Sequence, residues 1–148
     1  MALAAVAFAL PACGESRGAN GGASRAEASL EGVSLTIEGA ENVRIEATPK
    51  QEAGPPRGWS PTLTVDFLVD ASKQTVEDPA RLTFTIDADL LEGERDPDQL
   101  NVFYGALGVT DECEANREAQ PDPCIESRSF EADGDARIVV LASRPETD

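Results

Sequence analysis

From Val33 onward the chain alternates apolar and polar residues with a period of two. "VSLTIE" sets Val33, Leu35 and Ile37 on one face and Ser34, Thr36 and Glu38 on the other, and "VRIEAT" (Val43 to Thr48) repeats the pattern. Gly39 to Asn42 between them read as a hairpin turn. Beyond a Pro- and Gly-rich loop, "PKQEAGPPRGWSP", the stretch "TLTVDFLV" turns Leu63, Val65, Phe67 and Val69 one way. "RLTFTID" then points Leu82, Phe84 and Ile86 inward and Thr83, Thr85 and Asp87 outward. "LNVFYG" (Leu100 to Gly105), "CIESRSFE" (Cys124 to Glu131) and "ARIVVLA" (Ala136 to Ala142) complete about seven strands. No segment has the 3.6-residue periodicity of an amphipathic helix. Short strands separated by turn signals predict an all-β fold: a single antiparallel β-sandwich of immunoglobulin-like type, with a small barrel as the alternative.

The pattern changes at the N-terminus. "ALAAVAFAL" (Ala2 to Leu10) is an apolar run of signal-peptide length, too short to cross a bilayer as a helix. After Cys13, "GESRGANGGASRAEASLEG" is rich in Gly, Ala and Ser without periodicity, the composition of a flexible tether. The expected organisation is a signal peptide over residues 1–12, a flexible tether starting at Cys13 over 13–32, the sandwich over 33–144, and a tail over 145–148.

The 148 residues suffice for one domain with a real core. Lys and Arg number 12 against 28 Asp and Glu, a net charge of −16. Such a surface repels phosphate backbones, so nucleic acid is excluded as a partner, and a polybasic route to lipid is excluded with it. The chain has no histidine, which removes the commonest general base, the dyads and triads that depend on it, and most zinc sites.

Three cysteines are an odd set, which in an exported protein calls for one pair and one residue with a separate fate. Cys113 and Cys124 are the natural pair. A disulfide there would close a loop, "EANREAQPDP", with no apolar anchor of its own, and would contribute about 3 kcal/mol by chain entropy. The alternatives, a redox switch or metal thiolates, lack a Cys-x-x-Cys spacing or further ligands.

Leu10-Pro11-Ala12-Cys13 resembles the lipobox of bacterial lipoproteins, with Leu three before the cysteine and a small residue directly before it. The resemblance implies cleavage after Ala12 and a diacylglycerol thioether on Cys13, with further acylation such as palmitate. It therefore implies a lipid anchor in a bacterial cell envelope, facing the periplasm or the outside. The C-terminal third is similar to a recurrent stretch of bacterial extracellular β-sandwich modules. The residues that carry this are "DPDQLNVFY" (Asp96 to Tyr104), Pro123-Cys124-Ile125 with Ser127-Arg128, the Asp133-Gly134-Asp135 turn, and the closing strand Arg137 to Leu141 with Ser143. Such modules ride on surface proteins of many functions, so this second resemblance implies fold and habitat rather than activity.

The remaining chemistry is sparse. Asp133 and Asp135 are weak calcium candidates, because a lone Asp-x-Asp supplies two of the six to eight oxygens that calcium takes, and Asp-Gly equally suits a hairpin turn. The acidic run "DADLLEGERDPDQ" lacks ordered ligand spacing. Trp59 in "PPRGWSP" could stack on a sugar or dock on a partner, or fold back as a plug over the sandwich. Phe103 and Tyr104 are neighbours and point to opposite faces, which makes Tyr104 a second possible ligand contact. The expected role is non-catalytic: an envelope-anchored structural or protein- or glycan-binding module without a cofactor. A calcium-dependent adhesion module, and a small carboxylate-based glycoside hydrolase, are the alternatives.

Overall fold

A computed structural model describes residues 25–49, 65–91, 96–100, 102–104, 107–114 and 117–145. Nine strands appear among them: β1 Arg25–Leu30, β2 Val33–Glu38, β3 Arg44–Pro49, β4 Val65–Asp70, β5 Ala80–Ile86, β6 Val102–Tyr104, β7 Leu107–Val109, β8 Cys124–Phe130 and β9 Ala136–Ala142. Two single 3-10 turns, Ala88–Leu90 and Pro97–Gln99, are the helical content of this set. The protein is an antiparallel β-sandwich. One layer is a five-stranded sheet in the order β1-β2-β5-β9-β8, and the hairpins β3-β4 and β6-β7 pair separately from it.

Period-two burial drives this arrangement. Val33, Leu35 and Ile37 of β2, then Ala80, Leu82, Phe84 and Ile86 of β5, bury one face, while Ser34, Thr36, Thr83 and Thr85 keep contact with water. Ile138, Val140 and Ala142 continue the inner face on β9. Val65 and Val69 of β4 join the same core, with Phe67 packed against it. The rings of Phe67 and Phe84 meet edge to face, centroids 6.1 Å apart, and fix the hairpin to the sheet.

Two expectations are corrected. Residues Arg25 to Leu30, placed in the tether by their small-residue content, form β1 and pair along their whole length with β2, Arg25 opposite Glu38 and Leu30 opposite Val33. Ala26 is buried there. Alanines weaken the alternation signal because they bury little area. The two-residue turn Glu31-Gly32 supplies what periodicity lacks: both φ angles are positive, at 51° and 80°, as a type I′ hairpin turn requires. The tether reading is thereby limited to residues before Arg25.

Gly39 to Asn42, expected to turn a hairpin between β2 and β3, instead carry the chain out of the sheet. β2 pairs with β1 and β5, whereas β3 pairs with β4. Gly39 and Asn42 take positive φ, 83° and 56°, and between and beyond them Ala40 and Val43 are buried. The loop is a corner whose apolar residues enter the core. Leu107–Val109, a short strand opposite β6, was also not expected.

The loops gather at two ends. At one, the Glu31-Gly32 turn, the Asp87–Leu91 segment and the β8-β9 turn are joined by Asp87 N–H to Gly32 C=O (2.8 Å) and Ala88 N–H to Asp135 Oδ1 (2.9 Å). At the other, Ser72 N–H donates to Glu41 C=O (3.1 Å), Gln74 N–H to Ser143 C=O (2.8 Å) and Ala119 N–H to Val76 C=O (2.9 Å). Among the described residues no helix is long and apolar enough to cross a membrane.

Candidate functional site

Cys113 and Cys124 are bonded, with Cα atoms 5.0 Å apart. β8 begins at Cys124, opposite Leu141 of β9. Leu141 points to the outer face of the sheet, where a small second cluster of Ala119, Cys124 and Leu141, with Cys113 against it, covers it. The loop was expected to have no apolar anchor; Ala119, 1% exposed, is that anchor. Polar bonds complete the closure. Glu114 N–H donates to Gln120 C=O (2.8 Å), and Asp122 accepts from the Ser143 backbone through Oδ1 (2.9 Å) and from the Ser143 hydroxyl through Oδ2. The disulfide thus belongs to a stopper over one end of the sandwich, holding β8, the end of β9 and the β4-β5 connection together.

The start of the strand edge beside it is also covered. Ile125 N–H donates to Asp111 C=O (2.8 Å) and Cys113 N–H to Ile125 C=O (3.0 Å), a short parallel bridge over the start of β8. The backbone N–H and C=O of Ile125 are thereby closed to pairing with another chain.

A bulge between Ile125 and Ser127 shifts the register of β8. Simple alternation from Ile125 would turn Ser127 and Ser129 inward. With the bulge, Arg128 lies opposite Ile138 and Phe130 opposite Ala136, on the core side. The Arg128 side chain is 8% exposed; its Nε donates to Leu100 C=O at 2.9 Å, and Nη1 lies 3.7 Å from Glu112 Oε1. Leu100 follows the 3-10 turn that Asp96 caps, Oδ1 accepting from Asp98 N–H at 3.1 Å. Two motifs quoted separately from the sequence, Asp-Pro-x-x-Leu and Pro-Cys-Ile-x-Ser-Arg, therefore meet in one contact. The inward role of Arg128 escaped the sequence pattern because a bulge leaves no mark in it.

The Asp133-Gly134-Asp135 turn has φ +95° at Gly134. Asp133 Oδ1 accepts from Asp135 N–H (3.2 Å), and Asp135 Oδ1 from Ala88 N–H (2.9 Å). Both carboxylates thus hold backbone, one within the turn and one across to the end of β5. Among the described residues no three His, Cys, Asp or Glu side chains are grouped as metal ligands.

Across β1, β2 and β5 the outward face of the large sheet is polar and paired in charge, whereas Val139 and Leu141 of β9 are buried on that side. Arg25, Glu38 and Arg81 stand in one row across β1, β2 and β5, with Arg25 to Glu38 at 3.4 Å and Arg81 to Glu126 at 3.0 Å. Leu68, on the outward side of β4, is the exposed large apolar residue of the described set, at 52%. Cys13 and Trp59 lie outside the described residues, and the description of Tyr104 is limited to its backbone in β6. No family model, curated protein or solved structure matches the chain.

Proposed function

We propose that the protein is a non-catalytic, lipid-anchored module of a bacterial cell envelope, in which the β-sandwich serves as a structural or protein- or glycan-binding unit. The observation that carries the reading is the use of the cysteines. The chain has three, and Cys113 and Cys124 are spent on each other. Cys13 remains, directly behind an apolar run of signal-peptide length and preceded by Leu10-Pro11-Ala12. A disulfide also belongs to an oxidising compartment, as export requires.

The absence of histidine supports a non-catalytic role, and the acidic surface leaves lipid, rather than a basic patch, as the means of membrane attachment. Trp59 and Tyr104 are the proposed contacts for a surface protein or glycan.

Mass spectrometry of the mature N-terminus from native envelope tests the anchor. Cys13 as the first residue, carrying a diacylglycerol thioether and fatty acyl chains, is the expected result, and Cys13→Ser should move the protein from the membrane to the soluble fraction with its fold intact. An unmodified Cys13, or a mature chain starting elsewhere, overturns the reading.

A further inference from the structure

We propose that the outer edge of β1 is a docking site for an extended segment of another protein, one in which apolar residues alternate with Lys or Arg and which adds a strand to the five-stranded sheet. The proposal rests on the reading of the sandwich as a protein-binding unit and gives that unit a surface and a partner chemistry. It does not depend on the fate of Cys13.

The hydrogen-bond alternation presents the groups such a segment needs. In an antiparallel ladder each residue turns its N–H and C=O to one neighbour, and successive residues alternate between the two sides. Asp87 N–H donates to Gly32 C=O at 2.8 Å, one step beyond the pair Val33 and Ile86 in the β2-β5 register. Gly32, Ser34, Thr36 and Glu38 therefore bond towards β5, and Val33, Leu35 and Ile37 bond to Leu30, Ala28 and Ala26 of β1. The type I′ turn requires the same phase, because a two-residue hairpin closes on a bonded pair, here Leu30 and Val33. Arg25, Glu27 and Ser29 consequently turn their N–H and C=O away from β2. β1 ends the sheet order, so among the described residues no strand receives these groups.

The two edges of the sheet differ. β8 carries a bulge and the bridge from Glu112, both of which hinder an incoming strand. β1 has neither; its six residues keep one unbroken register with β2, and it contains no proline or lysine. β3 packs beside β1 but is laddered to β4. On the inner side Ala28 and Leu30 of β1, with Ile45 and Ala47 of β3, stay partly exposed, so the apolar side chains of an added strand have surface to cover. On the outer side Glu27 is exposed. Strands β1, β2 and β3 with the Glu31-Gly32 turn carry Glu27, Glu31, Glu38 and Glu46 against Arg25 and Arg44. A net charge of −16 repels a second copy of the chain and attracts a basic segment, which decides between these two occupants.

The test uses the full chain in nonionic detergent and the blocked peptide Lys-Val-Lys-Val-Lys-Val-Lys. Amide hydrogen exchange read by NMR should slow about tenfold at Glu27 and Ser29 when the peptide binds, with little change at Ala26 and Ala28, whose N–H groups face β2. The same peptide with Glu in place of Lys should not bind, and added sodium chloride should weaken the basic one. N-methylation of every peptide residue keeps the charge, removes the ladder donors, and should abolish binding. Ser29→Pro removes an edge donor without touching a bond to β2 and should weaken binding about tenfold; the N-methylated peptide carries the comparison if that variant does not fold. Slow exchange at Glu27 and Ser29 in the protein alone, or binding that survives N-methylation, overturns the proposal. Protection confined to another surface overturns the edge site and leaves the protein-binding reading standing, whereas no protection anywhere also removes basic extended segments from that reading. A dimer in sedimentation that Ser29→Pro dissociates would assign the edge to a second copy and overturn the partner.

Discussion

At the scale of single residues, the most consequential side chain is Arg128. Its guanidinium is sunk between β8 and the segment leading into β6, with Nε on the Leu100 carbonyl at 2.9 Å. Its ion pair with Glu112 contributes little, since Glu112 is 80% exposed and water screens it. The hydrogen bond and the packing of the aliphatic stem matter more. Arg128→Ala should lower unfolding free energy by about 2–3 kcal/mol in urea titration, because a buried carbonyl loses its donor and a cavity opens. Glu112→Gln should change it by less than about 0.5 kcal/mol. Asp135 offers a second check. Asp135→Ala removes the acceptor for Ala88 N–H and should cost about 1 kcal/mol, whereas Asp135→Asn, which keeps an oxygen in place, should cost less. At Gly32, φ is +80° and an added Cβ would lie 2.7 Å from Asp87 Oδ2. Gly32→Ala therefore strains both the backbone and the end of β5, and its midpoint in the same titration should fall.

Among the elements, the strands with bulky β-branched or aromatic alternation were legible: β2, β4, β5 and β9 all lie where Val, Leu, Ile and Phe recur at every second position. β1 was not, because its inward residues are Ala26, Ala28 and Leu30, and a strand that contributes so little apolar area is held by ladder hydrogen bonds and a positive-φ turn. The partner of β3 was misjudged for a related reason. Periodicity tells which face a residue takes, and it is silent on which sheet the strand joins. The cysteine pair was legible from count and compartment, but the stopper that Ala119 and Asp122 build around it depends on tertiary placement of two unremarkable loop residues. Replacing Cys113 and Cys124 together by Ala should reduce stability by about 3 kcal/mol and expose residues 114–123 to proteolysis while the rest of the sheet remains resistant. Cleavage spread evenly through β2 and β5 would show the disulfide to be a global rather than a local fastening.

For the whole molecule, net charge dominates. At −16 over 148 residues, self-repulsion opposes the compact state, and added salt should relieve it. Melting temperature should rise with sodium chloride, and calcium at the same ionic strength should raise it no further, since Asp133 and Asp135 already hold backbone N–H groups. A calcium-specific increase that saturates would instead identify an ion-binding loop. The place of β1 at the sheet edge, with its six residues paired to β2, has a mechanical consequence. Ladder hydrogen bonds run perpendicular to the strands. Tension entering at Arg25 and leaving through the far turns runs parallel to β1, so its bonds to β2 are sheared together and resist as a group. Tension drawn sideways across the sheet would open the same bonds one after another, as in a zip. The fastening at the edge is strong along the strands and weak at right angles to them.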